Sequence, residues 1–273
     1  MIATGRAPLD ARPARTMRVP AVVVVAIAGA WILTVVAQTT GRAAFLNHGA
    51  LIEGIGPSFR PPPLWVAVPL FLLAWQVMVV AMMLPSSLPM VRLFRATTAN
   101  VPNRPRVMAS FLAGYLGVWG AFGALAFLQD IAIHKSVDAH PWLAAHSFLI
   151  GGTALALAGA FQFSSLKDKC LRECRAPGAF LLKHYGRGTG AAFRLGRKHG
   201  LFCLGCCWAL MLVMFGAGVA NLWWMPALAV LMFYEKTGRH GDRAVPVSGL
   251  ALLALAALVF LHPAWLPPVF GTT

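Results

Sequence analysis

Apolar residues in this chain come in long, nearly unbroken runs rather than in the one-sided stripes of a water-soluble helix. Crossing a hydrocarbon layer of about 30 Å at about 1.5 Å per residue takes roughly 17 to 25 apolar residues. Seven stretches reach or approach that length, at 20–38, 64–84, 110–129, 143–163, 200–219, 221–234 and 247–262. The first run, Ala21 to Ala37, follows an arginine-bearing tail as in a secretory signal, but no convincing small-x-small cleavage site follows it, which predicts an uncleaved first helix. The sixth is short. It begins at Asn221, Trp223 and Trp224 and ends at Tyr234, Glu235 and Lys236, residues suited to a membrane interface. Pro61, Pro62 and Pro63 stiffen the approach to the second run, and Pro85 and Pro89 stand at its far end, where a missing amide hydrogen is tolerated. The pattern predicts an all-α, polytopic transmembrane helix bundle of about seven helices. It divides into a basic tail (1–19), a single transmembrane domain (20–262) containing a basic loop with a cysteine pair (164–199), and a C-terminal tail (263–273).

The polar positions between the runs supply an orientation, because cytoplasmic loops carry the excess of Lys and Arg. One set of segments holds Arg6, Arg12, Arg15 and Arg18, then Arg92, Arg95, Arg104 and Arg106, then nine basic residues from Lys167 to Lys198, then Lys236, Arg239 and Arg243. The alternate segments hold only Arg42, Arg60 and Lys135. The expected arrangement is therefore N-terminus inside and C-terminus outside. It depends most on the hairpin of the fifth and sixth runs, since fusing them would move everything after it.

Composition supports the bilayer as solvent: 59% of residues are hydrophobic and 11% charged, against about 25% charged in ordinary soluble domains. A net charge of +15 would suggest nucleic acid in a soluble protein, but here the charge lies in short inter-helix segments, where it orients helices and meets anionic headgroups. These segments match no nucleic-acid recognition pattern.

The candidate chemistry is sulfur. Cys170 and Cys174 form one group, Cys203, Cys206 and Cys207 another, and the expected topology puts both at the reducing cytoplasmic face, where close thiols read as metal ligands or redox groups rather than structural disulfides. Cys170 and Cys174 are i and i+4. His199, Cys203 and Cys206 or Cys207 make an i, i+4, i+7 or i+8 stripe that Met211 and Met214 continue inward. Met82 and Met83, ending the second run, and His184 in the fourth loop should reach the same depth. Imidazole, thiolate and thioether together suit Cu(I), and thiolate with imidazole also suits zinc. Methionine fills irregular gaps and cysteine is a small apolar residue, so Met78, Met82, Met83, Met211 and Met214 taken singly read as packing. The paired cysteines weigh the other way, since two close groups share one face. A second polar set, His48, Glu53, Asp130, His134, Asp138, His140, His146 and His262, falls on the opposite side and reads as loop residues or an outer metal site.

Several segments carry a family resemblance: Met78-Val79-Val80-Ala81-Met82-Met83-Leu84-Pro85, Gly114-Tyr115, Lys167 through Pro177 with its two cysteines, and Cys203-Leu204-Gly205-Cys206-Cys207-Trp208-Ala209-Leu210-Met211. From about residue 65 to 236 the chain resembles the bacterial family known as domain of unknown function 2182, described as predicted metal-binding integral membrane proteins. It departs from that family at Phe161-Gln162-Phe163-Ser164-Ser165, where members carry Tyr-Gln-x-Thr-Pro, and at Ala220, where they carry Met. Every cysteine is spared. The resemblance implies a multi-pass protein of the bacterial inner membrane that binds metal.

The expected function is soft-metal handling or transport, copper or zinc, through Cys170, Cys174, Cys203, Cys206 and Cys207 with His199, Met82, Met83 and Met211, in the lipid bilayer and with a membrane or periplasmic partner protein. Two alternatives stand beside it. Cys203-Leu204-Gly205-Cys206 is a CxxC element expected at a helix start, which would suit thiol-disulfide exchange, and the chain could instead scaffold another membrane component. No Walker motif, serine nucleophile elbow or HExxH motif occurs, so hydrolytic catalysis and self-powered pumping are disfavoured.

Overall fold

The computed structural model describes residues 19–40, 51–52, 61–217 and 222–263. The basic tail through Arg18, then Arg42, His48, Glu53 and Arg60, then Ala220 and Asn221, and the C-terminal residues from 264 lie outside them. The described residues form helices only: α1 (Ala21–Thr39), α2 (Leu64–Met82), α3 (Leu84–Thr97), α4 (Arg104–Ala139), α5 (Pro141–Ala145), α6 (Phe148–Phe161), α7 (Ser165–Arg175), α8 (Pro177–His184), α9 (Thr189–Ala217), α10 (Trp224–Thr237) and α11 (Gly241–Leu261).

Local chemistry sets the boundaries. The prolines at 61–63 hold the chain extended until α2 begins at Leu64. Met83 separates α2 from α3, whose first turn accepts Pro85 because the missing N–H would have no partner there. Asn103, at φ 57°, makes the left-handed turn into α4 that asparagine tolerates better than most residues. The Ser164 hydroxyl accepts a hydrogen bond from the Lys167 amide at 3.1 Å, starting α7 with a side-chain cap. The segment 164–199, expected as a loop, is thus α7, α8 and the first turns of α9.

Among the described residues five helices are long and apolar enough to cross a membrane: α1, α2, α4, the stretch Thr189–Met214 of α9, and α11. The pair α6 and α7 passes the same test only together, bent by 65°. Among the described residues, then, five or six of the seven expected spans are found. With 14 residues, α10 is about 21 Å long, short of the ~30 Å a span needs. It leaves the far end of α9 and returns antiparallel until Lys236 lies beside Cys203.

Small residues and aromatic donors fix the packing. Parallel helices α4 and α9 touch backbone to backbone: a Cβ on Gly196 would collide with the Phe111 carbonyl oxygen, and one on Gly114 with that of Phe193. Antiparallel to α4, α2 gives Trp75 Nε1 to the Trp119 carbonyl at 2.8 Å and Gln76 Nε2 to the Leu116 carbonyl at 3.0 Å. Phe71 stacks on Phe127 at 4.2 Å. Helices α6 and α11 pair antiparallel through Gly152 against Phe260 and Gly159 against Leu253 and Gly249. On the outside, α1 shows Val22, Val25 and Ile32 to the surroundings and joins the bundle through Trp31 Nε1, which donates to the Ala81 carbonyl at 3.1 Å.

Gly196→Leu is expected to pry α9 from α4 and destabilise the fold by about 3 kcal/mol, the upper part of the overpacking range. Thermal unfolding of purified protein in detergent checks this, with Gly117→Ala, where the added Cβ meets nothing within 4 Å, expected to unfold like the wild type.

Candidate metal centre

Sulfurs from three segments of the chain meet on the inner face of α9. His199, Cys203, Cys206, Cys207, Met211 and Met214 are all buried, as their spacing on one helix predicts. Bent away from α6, α7 lays Cys170 and Cys174 across this face. Cys174 Sγ comes within 4.0 Å of Cys206 Sγ, and Cys170 Sγ rests against Gly205, where a Cβ would clash at 2.5 Å. The break after α2 brings Met83 in from the other side, its Sδ 3.6 Å from Cys207 Sγ. Cys206 and Cys207 both direct their thiols to the Cys203 carbonyl, at 3.1 and 2.8 Å. All five cysteines are free.

Two sulfurs bound to one ion at about 2.3 Å each stand about 3.8 Å apart in tetrahedral geometry and about 4.6 Å apart in linear geometry. The Cys174 and Cys206 sulfurs fall inside that window at 4.0 Å, and Cys207 with Met83 lies just below it at 3.6 Å. Thiol and thioether sulfur is a donor set for a soft cation. Among the described residues no three His, Cys, Asp or Glu side chains converge as a ready-made metal cage. The sulfurs therefore stand in pairs.

The remaining expected residues are placed less closely. Met82 and Met211 are buried in the same core. His199 is stacked among Phe111, Tyr115 and Phe180, at 6.2, 5.6 and 5.7 Å between centroids, with its Nε2 buried and without a hydrogen-bond partner. His184 lies outside the core, where Lys198 Nζ donates to its Nδ1 at 3.3 Å. Partial burial, then the Lys198 and Lys183 ammoniums, hold its imidazole below the usual range. On the outer set, His134, His140 and His146 each place Nδ1 on the carbonyl four residues back, at 3.0, 2.9 and 2.7 Å. His134 also approaches the Asp130 carboxylate at 3.6 Å.

The sequence reading missed the polar lining. Lys236 and Lys167, counted as loop charges, are buried. Lys236 Nζ donates to Cys203 Sγ at 3.1 Å, to Ser86 Oγ at 3.2 Å and to Cys207 Sγ at 3.7 Å. Tyr115 OH accepts from Ser87 Oγ at 3.1 Å and lies 3.2 Å from Cys203 Sγ, so its own proton is free to point at that sulfur. Lys167 Nζ donates to Glu235 Oε2 at 2.7 Å and to the Cys206 carbonyl at 3.0 Å. The Glu235 carboxylate also accepts from Gln162 and Ser248, at 3.1 and 3.2 Å. A cavity of about 310 Å³ beside α7 is lined by Lys167, Arg172, Arg175, Asp168 and Asp242 among others, and by no sulfur. Lysines near a predicted helix end were the available signal, but only tertiary packing shows which way they turn.

Residues 72–259, which include every sulfur of this centre, match the PpoB2 family, described as a copper chaperone. The chain belongs to that family. No curated protein and no solved structure matches it. Membership in the PpoB2 family agrees with the metal-binding character that the resemblance implied, and of the two metals expected from the donors it points to copper. The thiol-exchange alternative loses its premise. Cys203 lies in the middle of α9, which starts at Thr189, so no free helix N-terminus activates it, and the CxxC pair is too deeply buried to meet a partner's disulfide.

Lys167→Met is expected to cost about 3 to 5 kcal/mol by leaving Glu235 charged and unpaired in the core, with much of that loss recovered in the Lys167→Met, Glu235→Met double variant. Denaturation midpoints of the three proteins in detergent decide it; equal losses in the single and double variants would contradict the pairing.

Proposed function

We propose that this PpoB2-family protein is a multi-pass protein of the bacterial inner membrane, N-terminus inside and C-terminus outside, that takes up Cu(I) at its cytoplasmic face and hands it to a membrane or periplasmic partner. Cys203, Cys206 and Cys207 of α9, Cys174 of α7 and Met83 at the end of α2 are the donors, with Cys170, His199, Met82 and Met211 around them. The observation that carries this reading is the meeting of sulfurs from three separate segments inside one core, two pairs of them at 4.0 and 3.6 Å. Packing alone favours such burial for any one cysteine or methionine. It gives no reason for a cysteine pair and a methionine from elsewhere in the chain to face the same stripe. The copper-chaperone family supports the cargo. Helices of membrane length and the concentration of Lys and Arg in alternate segments support the placement.

Cargo of this kind moves by exchange of ligands. A soft donor outside surrenders Cu(I) to the most accessible sulfur, and stepwise exchange among neighbouring sulfurs carries it inward without redox change. Cys174, the least buried of the five thiols, is the natural first contact, and Cys206 the next.

The test is copper content after loading the purified protein anaerobically with Cu(I). The wild type is expected to retain copper through desalting, and the Cys174, Cys203, Cys206 and Cys207 to Ser quadruple variant, if equally well folded, to fall to background. Equal retention in both would remove the cysteines from the function.

A further inference from the structure

Lys236 is out of place in a set of soft donors. It is a cation beside the seat of a cationic cargo, and it is only 6% exposed. Charges in an apolar interior persist only when neutralised. Lys167, also buried, meets a carboxylate, Glu235, at 2.7 Å. Lys236 meets sulfur instead, Cys203 at 3.1 Å and Cys207 at 3.7 Å. Its neighbour Glu235 does not serve it, because that carboxylate is turned the other way onto Lys167, Gln162 and Ser248. Three further buried hydroxyls line the same wall: Ser86 binds the ammonium, and Ser87 orients Tyr115 towards Cys203.

A charge count gives this arrangement a meaning. Two thiolates carry two negative charges and Cu(I) carries one positive charge, so the bound complex is a monoanion. One ammonium makes the whole neutral. A divalent ion on the same two thiolates is neutral without the lysine, and the ammonium then stands as an uncompensated charge in the core.

We propose that Lys236 is the charge-matching residue of a metal seat formed by Cys203 and Cys207, selecting a monovalent soft cation, Cu(I) or its analogue Ag(I), over Zn(II). The inference rests on the reading that these thiols bind copper. It assigns discrimination between metals to a side chain that is not itself a ligand.

The experiment measures Ag(I), Cu(I) and Zn(II) affinities of the full-length protein in detergent by competition with chelators, for the wild type, Lys236→Gln, Lys236→Arg and Ser86→Ala. Lys236→Gln is expected to lower the ratio of monovalent to Zn(II) affinity by about 100-fold, as loss of a buried counter-ion implies. Lys236→Arg, which keeps the charge, and Ser86→Ala, which removes only a hydrogen bond, are expected to keep the ratio. A structural role would move both metals together, so an equal change for Ag(I) and Zn(II) in Lys236→Gln overturns the proposal, as does no change. Should Lys236→Gln not fold, Lys236→Met, which removes the charge without adding a polar group, is read the same way: a fall in the ratio supports the proposal and an unchanged ratio overturns it. A wild type that binds neither Cu(I) nor Ag(I) overturns the copper reading itself, whereas a wild type that binds them with a ratio indifferent to Lys236 overturns this inference alone.

Discussion

Glu235 and Lys236, adjacent at the end of α10, are both buried, and the core around them is arranged to pair each one separately. Glu235 turns to Lys167 and so ties α7 to α10, while Gln162 and Ser248 bring in the end of α6 and the first half of α11. Lys236 turns to Cys203 and Ser86 and ties α10 to α9 and α3. An isolated buried charge costs several kcal/mol, so these pairings hold six helices in one register. The same register lets Cys174 reach Cys206. Removing the Glu235 carboxylate therefore loosens α7 and with it the approach of Cys174 to Cys206.

The proposed copper handling rests on what that register brings together. Helix α9 is the spine: its glycines let α4 approach closely enough for Tyr115 to touch Cys203, and Gly205 opens the space that Cys170 fills. Cys174 and Cys206 lie at a distance one soft ion can bridge, and Cys207 with Met83 just below it. A chaperone needs such a graded set of donors more than a closed cage, since a fully enclosed site with a complete ligand set would retain its cargo. The absence of a three-residue His, Cys, Asp or Glu cage among the described residues is compatible with that demand.

Much of this was legible in the sequence, because burial and helical periodicity act locally. The apolar runs located α1, α2, α4, α6, α9 and α11, and the i, i+4 spacing placed His199, Cys203, Cys207 and Met211 on one face. Hydropathy could not see that α9 begins at Thr189, since Arg194, Arg197 and Lys198 lie on its polar first turns. Nor could it distinguish α10, a short helix returning to the depth of Cys203, from a full span. The lysines were misread for a related reason. A charge near a helix end usually faces solvent, and only the partner across the fold, Glu235 for Lys167 or Cys203 for Lys236, turns it inward. His199 was grouped with the donors by spacing, yet the aromatic rings of Phe111, Tyr115 and Phe180 enclose it.

X-ray absorption at the copper edge of the Cu(I)-loaded protein tests the central claim most directly, because it reads the atoms bound to the ion. The account predicts monovalent copper with a first shell of sulfur only. A shell dominated by nitrogen or oxygen, as from histidines or carboxylates of the outer set, would contradict it.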